Sequence, residues 1–450
     1  MGSEYKGGAG IGNTKLGTPC TDTLAEKFRF NKDVMLETGQ ISNISSFARP
    51  IADVDSSPLT FNLDKLADTF LQLDSLYFWV KCKILKGDGN PVDAADKFGI
   101  VSSFGPSFFR NIKVLLNGFE LAPSSETDVP YKSYLETILS HDIRDQNTYL
   151  AASLFELDDI DNLECTSPVA SQGSATPQAF INRYNRVKDS KSFDFTVPVS
   201  CDFFRANSHL APDNKITIVA TRESEPFLIQ SSTAGTTGYK IKVEDIKLYY
   251  NRIRLDPTLS SKILGKPCQY LTVQTQLKKY ALPAGISTYN IELYNSLLPR
   301  CLIITQVLTS ASQGNYTENP FNLKHFNISN LVVRVNGQSY PPDAFRPNFD
   351  KGLYSREFTE LMIHSGFFKT DRTSSITYER FAKGSSIFIL DLTPDRCGST
   401  DIHKAKPGSL EMEISWSKPL EKPITILAYA CFNARYTVEN TSQPAIMELI

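Results

Sequence analysis

The chain has 450 residues, 41% hydrophobic and 21% charged, an ordinary globular composition with enough length for at least two cores. Its formal net charge of −2 gives no general attraction to nucleic acid or to an anionic membrane. No apolar run approaches the ~20 residues that a membrane span needs.

The first 20 residues, MGSEYKGGAGIGNTKLGTPC, lack the apolar stretch of a secretory signal, and Lys6 stands where a myristoylation site wants Ser or Thr. Residues 1–26 are Gly-rich and aperiodic, so a flexible arm is expected, either free or ordered against a neighbouring subunit. The eight cysteines, at 20, 82, 165, 201, 268, 301, 397 and 431, include no CxxC. Without a signal they read as reduced thiols, and the sequons at Asn43, Asn315, Asn327 and Asn440 as chance matches.

The 28 Phe and 19 Tyr favour strands, which are expected at 27–36, 59–63 and 76–84. After 104–110 comes IKVLLNGFEL (112–121), in which Ile112, Val114 and Leu116 alternate with Lys113 and Leu115. Asn117-Gly118 then offers a two-residue hairpin turn with positive φ at both positions. Asp128 as N-cap, Pro130 in the first turn, and a stripe of Tyr131, Tyr134, Leu135, Ile138 and Leu139 predict a helix over 131–139. Residues 141–192 read as loop: the acidic ELDDIDNLE (156–164) is expected to be solvated, and TSPVASQGSATPQ (166–178) is rich in turn formers. Strands resume at 193–199 and 216–221 and, after a flexible 232–238, at 239–255. Asp256-Pro257 opens a short helix at 258–264, closed by Gly265 and Pro267, that sets two halves side by side.

The second half repeats the first. LVVRVNGQSY (331–340) alternates Leu331, Val333 and Val335 and turns at Asn336-Gly337, 336 − 117 = 219 positions after its counterpart; the chain has no other Asn-Gly. In the same order 289–293 answers to 61–63, 302–308 to 78–84, 354–362 to 131–139, 386–392 to 193–199, 410–416 to 216–222 and 424–432 to 241–250. The offset falls to 410 − 216 = 194 and then 432 − 250 = 182, because the first copy has the longer connections, chiefly 141–192. Eight or so short strands per unit, with a helix after the fourth or fifth, predict an all-β chain of two tandem jelly rolls. Immunoglobulin-like units run about 100 residues and fit less well. The expected organisation is an arm at 1–26, a first jelly roll at 27–257, a helical linker at 258–269, a second jelly roll at 270–440 and a tail at 441–450.

Histidines at 141, 209, 325, 364 and 403 show neither HxH nor HExxH spacing, which argues against a bicupin or copper enzyme. GGAGIG (7–12) follows no strand, and neither GxSxG nor a defensible Ser/His/Asp set is present. No catalytic, cofactor-binding or metal-binding residue is predicted. The chain reads as a protein that works by its surfaces.

Four segments carry a resemblance: VPYKSYLETIL (129–139), NPFNLKHFNISNLVVRVNGQSYPP (319–342), FRPNFDKGLYSREFTEL (345–361) and DLTPD (391–395). In this order, and with the duplication, they resemble the hexon-like major capsid proteins of Polinton/Maverick elements and adintoviruses, a double jelly-roll lineage that includes adenovirus hexon. Weaker similarity runs over 27–436. The resemblance implies a homotrimer of pseudo-hexagonal outline that tiles an icosahedral virion shell. The implied partners are neighbouring capsomers, penton and minor capsid proteins, without sequence-specific nucleic acid, and assembly is implied inside the host cell without secretion. It also implies an exposed crown at 141–192 and 366–385, and inner contacts by the arm. The helices at 131–139 and 354–362 are read as core, with trimer contact as the alternative. The rival reading is a non-viral tandem β-sandwich that binds carbohydrate or protein.

Overall fold

The computed structural model describes residues 39–450 except 64, 67, 94, 122–127, 171–174, 207, 236–237, 265–266, 371, 394–403 and 439–445. The expected arm at 1–26 and strand at 27–36 lie outside the described residues. The first half contains β1 (Gln40–Ala48), β2 (Leu59–Leu63), β3 (Thr69–Lys86), β4 (Phe98–Ile100), β5 (Phe109–Leu116), β6 (Phe119–Glu120), β7 (Phe193–Pro198), β8 (His209–Leu210), β9 (Ile216–Arg222), β10 (Ile229–Ser231) and β11 (Tyr239–Leu255). The second contains β12 (Cys268–Leu282), β13 (Thr288–Tyr294), β14 (Cys301–Leu308), β15 (Ile328–Val335), β16 (Gln338–Phe345), β17 (Phe388–Asp391), β18 (Leu410–Trp416), β19 (Ile424–Val438) and β20 (Ile446–Leu449).

Each half is a strand ribbon folded double about its Asn-Gly turn. In the first, β5 pairs with β6, β3 with β7, β2 with β9 and β1 with β11, all antiparallel. Strands equally distant from the turn therefore meet, and the ribbon rolls into two sheets, β1-β11-β3-β7 and β2-β9-β5-β6. The second half gives β12-β19-β14-β17 and β13-β18-β15-β16, the same order position for position. This is the jelly roll, twice. The register repeats as well. Ala220 stands between Leu59 and Ile112, as Ile414 stands between Tyr289 and Leu331. The separation 331 − 112 = 219 is the one that separates the two turns.

The turns have the backbone that Asn-Gly was expected to supply. Asn117 and Gly118 have φ of 52° and 89°, Asn336 and Gly337 of 49° and 80°, the type I′ geometry that matches strand twist. In each copy the asparagine also clips the turn to the residue just before the next strand. Lys215 N donates to Asn117 Oδ1 at 2.9 Å, and Ser409 N to Asn336 Oδ1 at 2.9 Å. Asn117→Ala, which loses both the clip and the tolerance of positive φ, is expected to cost about 1–3 kcal/mol. Asn117→Gly, which keeps the φ, should cost less; urea unfolding of the two variants separates the contributions.

The sheets close on alternating apolar side chains. Phe61 and Phe109 from one sheet meet Phe78 from the other at ring separations of 5.3 and 4.8 Å. Strands β1 and β12 were not foreseen. No residue of β1 is fully buried, so it lacks a period, and β12 (CQYLTVQTQLKKYAL) carries polar residues on both sides, with Gln274, Gln276 and Lys278 on one and Thr275 and Lys279 on the other. The loop expected over 141–192 is corrected: it contains helices Tyr149–Ala152 and Gln178–Val187, with Leu150, Phe155, Leu157, Phe180 and Val187 buried. The apolar stripe of Gln178–Val187 is interrupted by a buried Arg183, which hid it in the sequence. Helix Tyr378–Ala382 likewise lies within 366–385, with Ile376 and Phe381 buried.

Candidate functional site

The chemistry of this chain concentrates in the seam between the two rolls, and its centre is helix Val129–Ser140. Asp128 caps it by accepting from Tyr131 N at 3.3 Å, and the expected face of Tyr131, Tyr134, Leu135 and Ile138 is buried. Lys132 is buried as well, at 1% exposure, in an ion pair with Asp202, itself 5% exposed. The other carboxylate oxygen of Asp202 accepts from Thr275 N at 2.8 Å and Thr275 Oγ1 at 2.7 Å, and its carbonyl accepts from Thr272 Oγ1 at 2.6 Å. One charge pair of the first roll thus holds the first strand of the second. A turn along the helix, Tyr429 donates to Glu136 Oε1 at 2.6 Å, and Glu136 also pairs with Arg205. At the helix start Asp128 pairs with Lys279, whose ammonium lies 4.7 Å above the Tyr131 ring. Phe321 of the second roll packs on Tyr134 at 4.4 Å and on Tyr131 at 6.0 Å. Burial pushes the Tyr131 and Tyr429 phenols well above their ordinary pKa.

A second node corrects the reading of ELDDIDNLE as a solvated stretch. Asp158 is 5% exposed and pairs with Arg183, which is 1% exposed. Arg183 also donates to the carbonyls of Ile100 at 2.7 Å and Glu156 at 2.9 Å. Asn319 Nδ2, from the second roll, donates to Asp158 Oδ2 at 2.8 Å, and Arg380 donates to the Asp158 carbonyl at 2.5 Å. Arg183, 25 positions away, compensates the charge of this buried carboxylate. Lys383–Asp161 at 3.1 Å and Ser375 Oγ to the His141 carbonyl at 2.7 Å join 366–385 to 141–192, so both expected crown segments are tied to each other.

The arrangement fixes the geometry of the two rolls. The two best-formed cavities among the described residues hold ≈ 20 and ≈ 10 Å³, room for about one water each, whereas ligand pockets run to roughly 300–1,000 Å³. The larger lies beside Lys132, Asp202, Gln274 and Tyr436. No group of three or more metal-ligating side chains occurs among the described residues. The histidines are dispersed: His141 meets Tyr149, His209 lies in β8, and His364 contacts Glu360 at 3.3 Å; His403 lies outside the described residues. No helix of the described residues is long and apolar enough to cross a membrane.

His325 is a titratable spring in the second roll. Its ring stacks on Phe349 at 4.0 Å, and its Nδ1 accepts from Asn327 N at 2.8 Å, a bond that requires the neutral form. Burial pulls its pKa from 6.5 down to about 4, against an opposing pull from Asp350. The folded state therefore binds the proton later than the unfolded state does. Stability is fully present above pH 6.5 and is lost as pH falls from 6.5 towards 4, by up to about 3 kcal/mol. His325→Gln keeps an acceptor and removes the titration; melting curves against pH should fall less steeply in the variant over that window.

No family model matches the chain. A Caenorhabditis elegans protein described as uncharacterized is 21% identical over 412 residues, covering 87% of this chain and 94% of that protein. Among solved structures, a chain of the Sputnik virophage aligns with a TM-score of 0.62 at 11% identity, over 96% of this chain and 93% of that one. The PBCV-1 virus capsid model gives 0.57 at 11% identity, over 94% and 100%, and the mavirus major capsid protein 0.53 at 11% identity, over 97% and 96%. With matching strand order in both halves and alignment over nearly the whole of each chain, this protein is a double jelly roll, the fold shared by these viral capsid proteins.

Proposed function

We propose that the chain is a major capsid protein that self-assembles as a homotrimeric, pseudo-hexagonal capsomer and tiles an icosahedral virion shell. The observation that carries this reading is the full-length double jelly roll itself, aligned end to end with viral capsid chains. The seam adds to it. Two rolls locked by buried charges form a rigid block suited to bearing load between neighbours, and the cavities beside the two charge nodes hold about one water each. Three copies of a two-lobed block give six near-equivalent lobes, and a closed ring leaves no open heterologous edge. Its partners are neighbouring capsomers, with penton and minor capsid proteins at the vertices and inner face; it acts without catalysis, in the virion, after assembly inside the host cell. Size-exclusion chromatography with light scattering tests the reading. The expected mass is three times 50.2 kDa; a stable monomer at micromolar concentration would overturn it.

A further inference from the structure

Inside the chain, helix Val129–Ser140 of the first roll meets the outer face of β19 and β12 through Glu136 to Tyr429, Asp128 to Lys279 and, beside it, Asp202 to Thr275. The strand register identifies the same face on the first roll. Cys301 stands between Cys431 and Asp391, and Tyr77 stands between Tyr249 and Pro198. By the same pairing Tyr429 answers to Lys247, Ile303 to Trp79 and Thr275 to Phe47. The neighbours Phe78 and Leu248 point into the core at 0% exposure, so these positions point out.

At this face the first roll is aromatic and open. Phe47 is 52% and Tyr77 39% exposed. Tyr77 stacks on Tyr249 at 5.3 Å, Phe47 lies 5.9 Å from Tyr249, and the Lys247 ammonium sits 4.9 Å over Trp79. A contiguous patch of this kind marks an interaction surface. The counterpart of the covering helix is Ser355–His364 in the second roll, with Tyr354 answering to Tyr131 (354 − 131 = 223). Lys132 and Glu136 then answer to Ser355 and Thr359. Ser355 is exposed, and Leu353 just before it is 63% exposed.

We propose that the aromatic face of the first roll, Phe47, Tyr77, Trp79 and Tyr249 with Lys247, is covered by helix Ser355–His364 of a second copy of this chain, repeating between chains the contact that Val129–Ser140 makes within one. The proposal rests on the self-assembly reading and deepens it by naming both surfaces. Each chain carries one such contact satisfied internally and one helix and one face still open, so copies join head to tail. Phe47→Glu with Tyr77→Glu tests it. Both side chains are exposed in the single chain, so the melting temperature of the monomeric fold should hold while the mass by light scattering drops threefold, to 50.2 kDa. Lys247→Cys with Thr359→Cys, positions that answer to Tyr429 and Glu136, should form interchain disulfides under mild oxidation that neither single variant forms. A wild-type trimer whose glutamate variant stays trimeric and whose cysteine pair does not cross-link overturns this interface and leaves self-assembly standing. A monomeric wild type overturns both.

Discussion

Asp202→Ala will cost the protein about 3–5 kcal/mol of stability, the range for removing one partner of a buried ion pair. Lys132, at 1% exposure, is left with at most the single water that the adjoining cavity can hold, and Thr275 N and Oγ1 lose their acceptor in the same step. The loss falls on the contact between the rolls, so chemical unfolding should lose cooperativity, with the second roll separating from the first before either melts. Lys132→Met alone should cost less, because Asp202 keeps its two bonds from Thr275. The double variant should lose less than the two singles combined, and the shortfall measures the coupling of the pair. Equal stability of Asp202→Ala and the wild type would mean that the seam is wetter than the geometry implies.

Arg183→Met should cost a similar amount, about 3–5 kcal/mol, by a different route. The methionine fills much of the volume but strands the Asp158 carboxylate and leaves the carbonyls of Ile100 and Glu156 without their donors. Asp158 still receives Asn319, so the rolls remain joined at that point, and the weakness should appear within 141–192. Hydrogen exchange should then rise in helix Gln178–Val187 while the amides of β12 stay protected. The two variants thus separate the inter-roll contact from the folding of the long connection.

Much of the fold is legible in the sequence because the jelly roll is built on periods. Strand β11 (Tyr239–Leu255) falls on the bounds that its alternation predicts, and the two Asn-Gly turns mark the midpoint of each roll. The seam is not legible, since periodicity says that a face is covered and not by what. Lys132 finds Asp202 70 positions away, and Asp158 finds Asn319 161 positions away. Two signals were nonetheless present. The apolar stripe of Tyr131, Tyr134, Leu135, Ile138 and Leu139 spans roughly 140° of a helix, wide enough to meet more than one layer. In LYFWVKCKI, Tyr77 and Trp79 break the expected polar alternation opposite Phe78 and Val80; a strand apolar on both faces is one with a cover on each side. In the isolated chain the second cover is absent from that face, since Tyr77 remains 39% exposed.

Electron microscopy of the purified protein tests most directly that this duplicated sandwich exists to pack against itself. Class averages should show three chains as six lobes of nearly equal size around a three-fold axis, the lobes alternating between first and second rolls. Particles with two lobes and no rotational symmetry, at concentrations where the protein is abundant, would contradict the account.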